Sequence, residues 1–186
     1  MSQRENAILD YSDNEIKKYD RFLVKVEQYT TNGTHYHTKY YRHLIGIARI
    51  ITEGKNLTIK NNSIGFYYDK KNNSKNKLYI GIDILTLPDS KLSKTSYFTR
   101  ATSLLKENIQ DMLFIINSCK TLFIENEIIG IVFGIHWRFK DKSEMLNIWI
   151  DKNDVLKYEN NMITLNELIE RNIITNTDGK IIRLPI

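Results

Sequence analysis

Two runs in the last third of the chain fix most of what it can fold into. Residues 125–138 (ENEIIGIVFGIHWR) and 145–150 (MLNIWI) are rich in β-branched and aromatic residues, with a polar FKDKSE segment between them. They predict an antiparallel hairpin. Strand side chains alternate, so Gly134, His136, Arg138 and Lys140 share one face while Ile135, Trp137 and Phe139 share the other. One face is basic and lightened by glycine; the other is aromatic and apolar and must be covered. Lys140 and Lys142 at the tip extend the positive ridge, which suits phosphate groups as well as plain solvent.

A layer to cover the apolar face is at hand upstream. Phe98, Ala101, Leu105, Ile109, Met112 and Ile116 recur at three or four residues, giving a long amphipathic helix over residues 97–120 that opens on the serines before it. Thr164 and Glu167 form a capping box that starts a helix running to about Arg171, and Asp178-Gly179 turns the chain into a final strand, KIIRLPI. Further strands are expected at 22–29 (FLVKVEQY), 44–52 (LIGIARIIT), 57–60 and 78–85, with a loop around Asn32-Gly33 between the first two. The tally is six to eight strands and two or three helices: an α+β fold, a curved antiparallel β-sheet backed on one face by helices. Residues 1–20 lack sustained periodicity and are expected to form a mobile arm, with at most a short helix, ahead of a single domain over 21–186.

With 186 residues, 41% of them hydrophobic, the chain is long enough for one core, and it has no apolar run of membrane-spanning length and no signal peptide. An intracellular, cytoplasmic protein is expected. The single cysteine, Cys119, falls in an apolar pattern and reads as a buried thiol. The net charge of +5 suits an anionic partner. His35-x-His37 has the spacing of two metal ligands on one strand face, but no third ligand follows at a recognisable spacing, so neither a metal nor another cofactor is expected.

Residues 63–85 (SIGFYYDKKNNSKNKLYIGIDIL) place Tyr68 and Asp69 at a sheet margin, before a loop without apolar residues. An aromatic face beside a carboxylate can hold a base, the ring by stacking and the two oxygens by accepting a pair of N–H donors.

The order of these features resembles the cap-binding translation initiation factor 4E family, over residues 22–186. SIGFYYDKKNNSKNKLYIGI resembles the family's Trp-Glu run and following strand, with Tyr68 in place of the stacking tryptophan and Asp69 in place of the guanine-reading glutamate. LLKENIQDMLFIINSCKTLFIENEIIG resembles its next helix and acidic turn. GIVFGIHWRFKDKSEMLNIWI resembles its Arg-x-Lys strand, basic turn and Ile-x-Ile-Trp strand. The resemblance implies a non-enzymatic protein of translation initiation that binds the 7-methylguanosine triphosphate end of capped mRNA. Tyr68 and either Tyr40 or Tyr36 would sandwich the methylated guanine, Asp69 would read its N–H edge, and Trp149 would contact the methyl group. Arg138, Lys140, Lys142 and His136 would neutralise the triphosphate. Between residues 52 and 63 there is no room for the family's first helix, which leaves the docking surface of a scaffold partner unassigned. The lysine-, asparagine- and isoleucine-rich composition suits a compact AT-rich genome, a virus among them, which would put the protein in a host cytoplasm. Two other readings follow from the residues: a module for single-stranded RNA or protein without cap specificity, and a metal-dependent nuclease built on His35 and His37.

Overall fold

The computed structural model describes residues 12–29, 31–55, 57–68, 77–88 and 90–185. In chain order its elements are α1 (Asp13–Asp20), α2 (Thr31–Gly54), β1 (Thr58–Ile59), β2 (Gly65–Tyr67), β3 (Leu78–Thr86), α3 (Tyr97–Ser118), β4 (Ile128–Phe139), β5 (Lys142–Asp151), α4 (Lys152–Glu159), α5 (Leu165–Glu170), β6 (Ile173–Thr175) and β7 (Ile181–Ile182). Short 3-10 turns occupy Val26–Gln28, Ser90–Lys94 and Lys120–Ile124. The strands form one curved, open sheet in the order β1, β3, β4, β5, β6, β7, with β2 pairing beside β1 on β3. The architecture is α+β.

The predicted hairpin is the sheet's spine. β4 and β5 pair from Gly130 with Asp151 to Phe139 with Lys142, leaving Lys140 and Asp141 as a two-residue turn with Lys140 in the left-handed region at φ 53°. The helix over 97–118 also forms as its period dictates. Ser96 Oγ accepts from the Thr99 N–H at 3.2 Å, and Ala101, Leu104, Leu105, Met112, Ile115 and Ile116 are buried against the sheet. Phe98 is not part of that stripe; it is 52% exposed in the first turn, and the buried run starts at Arg100 and Ala101. The Thr164–Glu167 capping box is present at the start of α5. Cys119 is a buried free thiol whose pKa burial pushes up to about 12.

The sheet is mixed where an antiparallel one is expected. β3 and β4 run parallel, from Leu78 beside Ile128 to Thr86 beside Trp137. The reason is the long α3 crossover between them, which returns the chain to the end of the sheet at which β3 began. Among the described residues there are five α-helices where two or three are expected.

Two further expectations are overturned, both before residue 55. Residues 22–29 make a single bridge, Leu23 with Ile64, and then the 3-10 turn. Where a loop and a strand are expected, residues 31–54 form α2, two helical stretches that meet at a kink at Tyr40 (φ −110°, ψ 15°). β-branched residues invite the strand reading, but Tyr36, Tyr40, Leu44, Ile47, Ala48 and Ile51 recur at helical spacing and all are buried. Residues 13–20 of the expected arm form α1, docked on α2 through buried Tyr19, whose hydroxyl donates to Glu53, and through Arg49 to Glu15 at 3.3 Å. Residues 1–11 lie outside the described residues. Among the described residues no helix is long and apolar enough to cross a membrane.

Candidate nucleic-acid interface

The two faces of the sheet differ in cover. On one, Ile80, Ile82, Ile84, Ile131, Phe133, Ile135, Ile148 and Ile150 are at most 1% exposed and pack into the core with the helices. Pairing registers place Tyr67, Tyr79, Gly81, Asp83, Gly134, His136, Asn147, Trp149 and Thr175 on the other face. This second face carries the candidate site.

An aromatic row crosses it at right angles to the strands. Tyr67 on β2 pairs with Tyr79 on β3, and the Tyr79 and Trp149 rings meet edge to face, 5.2 Å apart at 89°. Glycines make the floor. A Cβ on Gly81 would stand 2.1 Å from the Tyr67 ring, and one on Gly130 would stand 2.9 Å from the Tyr79 ring. Without side chains at these positions the rings lie down on the sheet. Tyr67 Oη donates to the Ser63 carbonyl at 2.9 Å; burial, then nearby Asp83, hold its pKa above the usual phenol value, so it stays a donor. Trp149 Nε1 is 3.4 Å from Thr175 Oγ1.

Two pockets sit at the ends of the row. One, of about 300 Å³, lies at the β2 margin between Val24, Gln28, Tyr29, Asn62, Phe66, Tyr67 and Tyr68. The other, of about 170 Å³, lies between Tyr79, Asn147, Trp149, Ile173, Thr175, Gly179 and Ile181. A third, of about 530 Å³, lies at the far end of the strands and includes Lys60, His136, Arg138, Asp141 and Ser143. His136 is buried there with Nε2 3.1 Å from Asp83 Oδ2, close but not aligned as a hydrogen bond. Lys60 Nζ stands 3.7 Å from the same Asp83 oxygen.

The expected site residues are dispersed by this geometry. Tyr68 is 38% exposed at the lip of the margin pocket, as expected, while Asp69 and residues 70–76 lie outside the described residues. Tyr36 and Tyr40 are not in a loop near it. They are buried on α2, on the helix side of the sheet, with near-parallel rings 6.4 Å apart, and their hydroxyls donate to Glu127 (2.6 Å) and Glu125. Neither ring is open to a base. Trp149 does face the open side, but β2 and β5 are three strand spacings apart, about 14 Å. One base on Tyr68 therefore cannot also touch Trp149 with its methyl group. Arg138 is exposed on the open face, but Trp149 pairs with Val132, and from Val132 to Arg138 is about 20 Å along β4. Lys142 pairs with Phe139 and so falls on the helix side of the tip, leaving Arg138 and turn residue Lys140 as the ridge. A triphosphate on a base at Tyr68 does not reach it.

His35 and His37 fall on α2 about 200° apart around its axis, His35 exposed and His37 buried against Tyr29 and Tyr41. Among the described residues no group of three His, Cys, Asp or Glu is placed to hold a metal ion. Sequence reasoning missed Tyr29, Tyr79, Asp83 and Asn147. Counting by twos along LYIGID and MLNIWI, as was done for β4, puts Tyr79 with Asp83 and Asn147 with Trp149 on single faces. Known protein families, characterised proteins and solved structures were all compared with the chain, and none matches.

Proposed function

We propose that the protein is a non-enzymatic RNA-binding protein that lays single-stranded RNA across the open face of its sheet. The observation that carries this reading is the row of Tyr67, Tyr79 and Trp149 on a glycine floor. Every base has a stacking face, and each base stacked on an aromatic side chain contributes about 1–3 kcal/mol. Arg138 and Lys140 are exposed beyond the row, and the chain carries a net charge of +5, which supports contact with phosphates. The edge-to-face angle between Tyr79 and Trp149 supports a platform for a strand rather than a parallel clamp on one ring.

Recognition of the 5′ cap, in a protein of translation initiation, is the sharper second reading. It is favoured by Tyr68 at the lip of the margin pocket, with Tyr29 behind it and the Gln28 and Asn62 amides within its wall. In this form the second aromatic is Tyr29 or Tyr67 rather than Tyr36 or Tyr40. Fluorescence titration with 7-methylguanosine triphosphate, GTP and an uncapped hexaribonucleotide tests both. Saturation by the hexamer, lost in Tyr79→Ala, supports the first reading. A much stronger response to the methylated nucleotide than to GTP, lost in Tyr68→Ala, supports the second. No response to any of the three refutes both.

A further inference from the structure

The RNA-binding reading leaves open whether the open face reads sequence. We propose that the pocket beside Trp149 is a base-specific subsite that takes one adenine of a single-stranded RNA, read by the side-chain amide of Asn147. The inference rests on the RNA-binding reading and names what one position of that face selects.

At about 170 Å³ the pocket is smaller than the roughly 300–1,000 Å³ of cavities that enclose a drug-sized ligand, and it suits a single ring system. Trp149 supplies an aromatic wall already oriented by Tyr79, and exposed Ile173 and Ile181 supply an apolar rim. Specificity needs a polar group with a free donor and a free acceptor. Thr175 is engaged by the Trp149 indole, whereas the Asn147 amide makes no hydrogen bond to any described residue. Asn147 Oδ1 extends over Gly134, where a Cβ would stand only 3.0 Å from it. An amide offers an acceptor and a donor side by side, which match adenine N6–H and N7; the N7 and O6 acceptors of guanine or hypoxanthine satisfy only one half of it. Charge favours RNA as the occupant, since exposed Arg138 lies further along this same face, where a strand leaving the pocket can reach it.

The test compares two fluorescein-labelled hexaribonucleotides, UUUAUU and the same strand with inosine for adenosine, by anisotropy. The two bases stack alike and differ at position 6, which Asn147 would read, and at N1 beside it, so the Asn147→Ala arm assigns the difference to this side chain. The parent protein should bind the adenosine strand on the order of tenfold more tightly. Asn147→Ala should bring the two affinities together, Trp149→Ala should weaken both, Trp149→Phe should restore the preference, and Phe98→Ala, an exposed residue on the helix layer, should change neither affinity. Equal binding of the two strands by the parent overturns the subsite and leaves the RNA-binding reading standing. A preference that survives Asn147→Ala also overturns it. Failure to bind either strand removes both readings together.

Discussion

Replacing Arg100 by methionine should destabilise this protein more than any surface change, although Arg100 touches nothing on the open face. Its side chain is 4% exposed and makes a two-pronged contact with Glu144, Nε to Oε2 at 3.0 Å and Nη2 to Oε1 at 2.7 Å. The guanidinium lies 3.4 Å from the centre of the Phe139 ring and also donates to the Thr95 carbonyl. Glu144 accepts a third bond from Trp137 Nε1 at 2.6 Å, so the cluster ties α3 to both strands of the hairpin near its tip. Methionine preserves the apolar stem and leaves the largely buried carboxylate, 14% exposed, without its cation. Breaking a buried pair from one side costs about 3–5 kcal/mol. With a urea slope of about 2 kcal/mol per molar, the unfolding midpoint should fall by about 2 M. The double variant Arg100→Met, Glu144→Leu should recover most of that loss, because an apolar pair of similar volume removes the stranded charge. Trp137 fluorescence in urea reads both. A single variant that loses less than about 1 kcal/mol, or a double variant worse than the single, would refute the account.

Two further predictions address placement and pH. Tyr36→Phe should lower stability modestly by leaving Glu127 without its hydroxyl donor, and should leave every RNA and nucleotide affinity unchanged; a loss of cap or RNA binding without a loss of stability would place Tyr36 in the site after all. His37 is held below the ordinary imidazole pKa, chiefly by burial and against the pull of Asp20. A depressed folded-state value means the folded protein favours neutral His37, so its contribution is present above the unfolded value of about 6.5 and is lost as pH falls below it. Urea midpoints measured from pH 7.5 to 5 should fall for the parent and fall less for His37→Phe; parallel curves would count against it.

The parts of the fold that the sequence reveals are those with one strong period and a marked end. α3 has six buried residues at helical spacing behind a serine cap, and β4 and β5 alternate on either side of a polar turn. α2 was hidden because Leu44 to Thr52 combines β-branched residues with a helical stripe, and tertiary burial decides between the two. The parallel pairing of β3 with β4 was hidden for a different reason: alternation shows that a strand has a face, not which neighbour it lies beside. The candidate site was legible in part. Counting by twos groups Arg138 with His136 on one face, as the pairing does, but their distance from Trp149 along and across the strands is a property of register. Tyr36 and Tyr40 were misplaced because a tyrosine-rich polar run looks like a loop when its buried face is unknown.

The parallel seam between β3 and β4 has a consequence for how the chain assembles. The strand pairings on either side of it are antiparallel, whereas Leu78 and Ile128 run parallel and are brought together across fifty residues. No turn can zip that seam shut; the β4–β5 hairpin and the β1–β3 unit must each present an edge before α3 can carry one to the other. The aromatic row runs directly across this seam, with Tyr79 on one side and Trp149 on the other. The surface offered to a ligand thus exists only where this long-range pairing has closed.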